Sequence, residues 1–135
     1  MEDIKIVGSR IAKIEAERNP DFSGKLTIQT NLKVNTIEKV KDSKETIKVN
    51  YNFEISYAEL GKINLELNLF LASTQKTIKE ILKSWEAKKF DTEEQIAITN
   101  ILIQKASIKA ITLEEELGLP IHIRLPSIEK QKTKD

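Results

Sequence analysis

His122 is the sole histidine of the chain, and imidazole is the side chain best suited to proton transfer near neutral pH. An imidazole does acid–base work or holds a metal when a nucleophile, a carboxylate or a second ligand stands at a diagnostic spacing. Here it alternates with aliphatic residues in Pro120-Ile121-His122-Ile123-Arg124-Leu125-Pro126, which predicts a short extended segment with a surface histidine. No cysteine is present, hence no thiolate nucleophile, thiolate metal site or disulfide frame. Carboxylates concentrate in Glu114-Glu115-Glu116, where no apolar bracket exists to raise a pKa, so a solvated turn is expected. Gly8, Gly24, Gly61 and Gly118 lie too far apart for a phosphate-cradling loop. The expectation is a non-enzymatic protein with no catalytic residue, no metal site and no cofactor.

Charge narrows the partners. Lys and Arg number 22 against 21 Asp and Glu, whereas a nucleic-acid binder gathers a basic excess on one face. The one basic cluster is Lys130, Lys132 and Lys134, expected as a solvated tail over 129–135 after a single domain over 1–128. The opening Met1-Glu2-Asp3-Ile4-Lys5 lacks the pattern of a secretory signal, and no run of about 20 apolar residues suggests a membrane span. These observations lead us to expect a cytoplasmic protein with neither nucleic acid nor membrane among its partners.

The elements that position any site follow from periodicity. Leu26, Ile28, Leu32 and Val34 alternate with polar residues; Ile47, Val49, Tyr51, Phe53, Ile55 and Tyr57 do so more strictly. Ile63, Leu65, Leu67, Leu69 and Leu71 repeat the pattern, and period two puts each set on one face of a half-buried antiparallel sheet. Ala58-Glu59-Leu60-Gly61 is expected as a hairpin with Gly61 at positive φ, and Lys41-Asp42-Ser43-Lys44 as another turn. The segment Ile4 to Ala16 loses phase near Gly8, which predicts a bulged first strand.

The period then changes to that of a helix. Ile78, Ile81, Leu82 and Trp85 form one stripe. Asp91 and Glu94 have capping-box spacing for a second helix, which Gly118 stops. That second helix is apolar well around its circumference, through Ile96, Ile98, Ile101, Leu102, Ile103, Ala106, Ile108, Ala110 and Ile111. A helix on one sheet face needs a single stripe, so a second copy of the chain is the favoured partner for the remainder, although scattered surface aliphatics are common. The aromatic residues divide likewise. Tyr51, Phe53 and Tyr57 read as core; Phe22, Phe70, Trp85 and Phe90 are candidates for a partly exposed surface, with Trp85 equally placed to anchor its helix.

The order of these elements resembles the SecB chaperone family. The resemblance rests on Ser9-Arg10-Ile11-Ala12-Lys13-Ile14-Glu15-Ala16-Glu17 followed by Asn19-Pro20 and on the alternating pair Ile47 to Tyr57 and Ile63 to Leu71. It rests also on Asn100-Ile101-Leu102 with Leu117-Gly118-Leu119-Pro120 and Leu125-Pro126. It implies an α+β fold: a four-stranded antiparallel sheet followed by a short and a long helix. It further implies a homo-oligomer, a dimer of dimers, that binds unfolded or non-native polypeptides in apolar grooves without ATP. Client-binding residues carried over are Phe22, Leu26, Ile28, Trp85 and Phe90; Ile96, Ile98, Leu102, Ile103 and Ala110 are the expected oligomer contacts. The family serves protein export, and some members accompany toxin–antitoxin systems. The acidic surface of export members has only Glu15, Glu17 and Glu66 as an echo here, amid lysines. The alternative is an adaptor or structural subunit that binds one folded partner through the same surfaces.

Overall fold

The computed structural model describes residues 4–22 and 24–122, so the expected basic tail over 129–135 lies outside the described residues. Four strands, β1 (Lys5–Arg18), β2 (Gln29–Lys39), β3 (Thr46–Ser56) and β4 (Gly61–Ala72), precede two helices, α1 (Gln75–Glu86) and α2 (Glu93–Leu117). The strands form one antiparallel sheet in the order β1-β4-β3-β2, leaving β1 and β2 as its edges. This is the α+β architecture expected from the change of period after the fourth strand.

One sheet face makes the core. Ile47, Val49, Tyr51, Phe53 and Ile55 of β3 stand beside Leu71, Leu69, Leu67, Leu65 and Ile63 of β4, and all ten are buried. The helices cover that face. Ile78 and Ile81 of α1 and the row Ile98, Leu102, Ala106, Ala110 of α2 are buried against it. Residues four apart lie along one line of a helix, and the two alanines in that line allow close approach to the sheet. Gln95 ties the helices together: its side-chain amide donates to the Ile81 carbonyl at 3.1 Å and to Ser84 Oγ at 2.9 Å.

The phase loss in β1 comes from two bulges, between Ile6 and Gly8 and between Ile11 and Lys13. Each inserts one residue and resets which side chains face inward. Ile6, Ile11 and Ile14 are separated by odd spacings, yet all pair with inward residues of β4, namely Leu71, Leu67 and Leu65. The bulges therefore keep three isoleucines of an edge strand on the core side.

Two turn expectations are corrected. Gly61 has φ 163°, an extended value, and the positive φ falls on Ala58 at 55°. Glycine is needed at 61 for a different reason: a Cβ there would lie 2.2 Å from the Glu17 carbonyl oxygen of the neighbouring β1. The N-cap of α2 is Thr92, not Asp91; its hydroxyl accepts from the Gln95 amide at 3.3 Å. At the other end Gly118 adopts the left-handed conformation expected of it, with φ 70°.

Candidate interaction surfaces

The long helix divides as its composition demands, but along a different line from the expected one. Ile98, Leu102 and Ala110 are buried within the chain's own core, so they have no surface to offer another copy. Ile96 and Ile103 are exposed, by 50% and 38%, and Ile108 is the most exposed at 67%. Among the described residues α2 is the one helix long and apolar enough, by length and composition, to cross a membrane. Here its inward row rests on the sheet and its outer isoleucines have no cover. Ile6, Val7, Ile11 and Ile14 of β1 are also exposed. The layer of helices leaves the edge strand largely uncovered, although three of these four side chains face inward.

The expected client residues lie in two places. Phe22, Leu26 and Ile28 run along the connection from β1 to β2; Phe22 and Ile28 are half-buried against the core and Leu26 is exposed. Trp85, at the end of α1, is half-buried, and Phe90 in the following turn is 55% exposed. The structure brings these two together, with ring centroids 5.7 Å apart and planes tilted by 58°. Such a pair presents a rigid apolar ledge at small entropic cost. Phe70 lies on the opposite sheet face, as its phase requires, where Arg10 stacks over its ring at 5.7 Å and Gly8 of β1 pairs with it across the strands.

That opposite face is a lattice of amides. Asn35 donates to Asn50 and Asn52 at 2.8 and 2.7 Å, and Asn50 donates to Asn68 and Glu66 at 2.8 and 3.0 Å. Asn52 reaches Asn64, and Asn64 reaches Glu15, each at 3.4 Å, so the lattice crosses all four strands. Nearby is a shallow concavity of about 720 Å³, lined by Gln29, Asn31, Glu54, Ser56, Lys62 and Asn64 among others.

One polar cluster escaped the sequence reading. His122 is not a surface histidine, and Glu114 is not part of a solvated turn: both side chains are fully buried. Nδ1 of His122 lies 2.9 and 3.0 Å from the two Glu114 carboxylate oxygens, and Nε2 lies 3.1 Å from Ser107 Oγ. Glu114 also accepts from the Tyr57 hydroxyl and, at 3.0 Å, from the His122 backbone amide. Burial, then the hydrogen bond to Glu114 and its charge, push the Tyr57 hydroxyl well above the usual tyrosine range. The order Ser–His–Glu is that of a hydrolase triad. Ser107, however, is 4% exposed and sits mid-helix, where its neighbours' amides are committed to the helix and cannot form an oxyanion hole. The cluster binds the C-terminal turn to the domain; the ring of His122 also meets Phe53 edge-on at 5.7 Å. A signal was present in the sequence. Glu114 continues the every-fourth-residue row of Ile98, Leu102, Ala106 and Ala110, and that row is the buried one.

No family model and no curated protein matches the chain. Among solved structures it is similar to the Mycobacterium tuberculosis SecB-like chaperone Rv1957 in complex with a ChAD peptide from the Rv1956 HigA1 antitoxin. The TM-score is 0.61 at 14% sequence identity, over 93% of this chain and 91% of that one. The likeness establishes a SecB-like fold.

Proposed function

We propose that the chain is an ATP-independent holdase that assembles with copies of itself and keeps non-native polypeptides from aggregating. The observation that carries this reading is a surplus of apolar surface that the fold does not hide. Ile96, Ile103 and Ile108 on α2 and the isoleucines of β1 remain exposed after the core is complete. Such patches on a small domain mark interaction surfaces. A second copy would cover the helix face and the edge strand, and a pair of such dimers would leave the Phe22–Ile28 connection and the Trp85–Phe90 ledge for clients. The similar structure supports the reading, since a chaperone of this fold is there in complex with a peptide. The cytoplasm is its proposed place of work.

Weak binding is the useful regime for a holdase. Burying one aliphatic or aromatic client side chain gains about 1.5–3 kcal/mol. Fixing the client backbone costs about 1–2 kcal/mol per residue. These nearly cancel at one contact, which leaves little sequence preference. Several grooves on one assembly restore affinity, because a chain held at one site meets the next at high effective concentration.

Light scattering of an unrelated aggregating protein, with and without the chain, tests this reading. Suppression at near-stoichiometric amounts is expected, and aggregation unchanged at a several-fold excess refutes it. The adaptor reading rests on the single defined antitoxin peptide held by the similar chaperone. It is favoured if one peptide sequence binds and scrambled versions of it do not.

A further inference from the structure

We propose that Ser107, His122, Glu114 and Tyr57 form a latch that holds the turn from Gly118 to His122 shut over Phe53, and that a bound non-native polypeptide holds it open. The first half stands on the geometry; the second rests on the holdase reading.

The turn is fastened differently from the rest of the fold. Strands β3 and β4 and the inward row of α2 are held by aliphatic and aromatic side chains at or near zero exposure. In the turn, Leu119 is the one buried apolar side chain; Gly118 and Ile121 are exposed and Pro120 is half-buried. What closes it is polar: the Leu119 amide to the Glu114 carbonyl at 2.8 Å and the His122 amide to the Glu114 carboxylate at 3.0 Å, then the two ring contacts of His122. A segment with few buried apolar contacts opens at a smaller free-energy cost than the core beneath it.

Opening uncovers an apolar place. The His122 ring packs edge-on against Phe53, and Phe53 pairs across the sheet with the half-buried Leu32 of β2. With the turn lifted, Phe53 loses the imidazole and joins Leu32 beside an edge strand whose outward backbone groups have no partner strand among the described residues. An extended chain bearing an aromatic or large aliphatic side chain fits that place, because it meets the edge backbone and replaces the imidazole against Phe53.

The latch fixes a tautomer. An ionised carboxylate only accepts, so Nδ1 carries the proton toward Glu114 and Nε2 accepts from the Ser107 hydroxyl in neutral His122. Nitrogen NMR of the full chain should show a proton on Nδ1; a bare Nδ1, with the proton on Nε2 alone, overturns the latch. Hydrogen exchange of peptides covering 113–122 gives the second test, with a reduced and carboxymethylated protein as the client. Bound client should raise exchange at 119–122 at least tenfold and leave β3 and β4 unchanged; unchanged or slower exchange in the bound state refutes the gating. In His122→Leu the turn should already exchange at the fast rate without client, with the sheet still protected. If sheet peptides accelerate together with the turn in that variant, the turn is part of the global fold and the latch is refuted. Failure of the client to bind removes the holdase reading, while the tautomer and the His122→Leu exchange still judge the latch.

Discussion

Aspartate at three positions of α2 separates what the helix does for its own subunit from what it does between copies. Ile96, Ile103 and Ile108 expose 50%, 38% and 67% of their surface in the isolated chain. Covering that surface is worth about 2–5 kcal/mol per copy, at about 1.5–3 kcal/mol for each whole side chain buried. A symmetric contact uses the patch twice. Replacing the three by aspartate removes this gain and adds charge that must be desolvated. We therefore expect Ile96→Asp/Ile103→Asp/Ile108→Asp to weaken self-association at least a thousandfold, which converts the oligomer to monomer at micromolar concentration. The urea midpoint of the monomer should move little, because none of the three side chains is part of the core. Leu102→Ala is the contrasting variant. It should cost the subunit about 2–5 kcal/mol through the cavity it leaves, while the assembly persists under native conditions. Sedimentation equilibrium with parallel urea titrations reads both quantities. A wild-type monomer, or a triple aspartate variant of unchanged mass, refutes the assignment of the outer surface of α2 to copy–copy contact.

Further outcomes follow from single contacts. Gly61→Ala should destabilise the fold by about 1–3 kcal/mol in urea titration, since the added Cβ collides with the Glu17 carbonyl of the adjacent strand. Burial holds the hydroxyls of Tyr51 and Tyr57 well above the ordinary tyrosine value of 10.0, with Glu114 adding to the shift at Tyr57. Both tyrosines ionise more readily unfolded, so their contribution is complete below about pH 10 and falls as pH rises beyond it. Urea midpoints from pH 8 to 11 should drop in the wild type and drop less in Tyr57→Phe. Trp85→Ala/Phe90→Ala should lower affinity for an unfolded client at least tenfold by anisotropy, at unchanged native mass; unaltered affinity removes that ledge from the client surface.

The legibility of this chain in its sequence follows from how regular each element is. Strands β3 and β4 alternate without interruption and are buried on one side, so period and burial agree residue by residue. In β1 the two bulges break the period that a reader depends on, and the inward placement of Ile6, Ile11 and Ile14 emerges only from their pairing with β4. The C-terminal glycine of α2 and the short stripe of α1 were legible because local chemistry decides them, whereas β2 runs over Gln29–Lys39 and leaves Leu26 and Ile28, expected on that strand, in the connection before it. The division of α2 was not. A helix that is apolar all round has no moment to say which residues turn inward, and Ile98 and Ile108 differ only through the sheet beneath them. His122 was hidden for a related reason, and Glu114 was marked only by its place at the end of the row Ile98, Leu102, Ala106 and Ala110. A carboxylate in a run of three and an imidazole eight residues later look solvated until the turn at Gly118 folds one onto the other. Phe90 was readable as exposed, whereas its pairing with Trp85 depends on the tight turn that places Lys88 at φ 58°.

The central claim is that apolar surface left over by the fold receives chains that have lost theirs. Its most direct test is fluorescence anisotropy of one labelled protein in two states, native and permanently unfolded by reduction and carboxymethylation, titrated with the assembled chain. The account predicts saturable micromolar or tighter binding of the unfolded state and none of the native one. Binding of neither state, or of the native state alone, contradicts it.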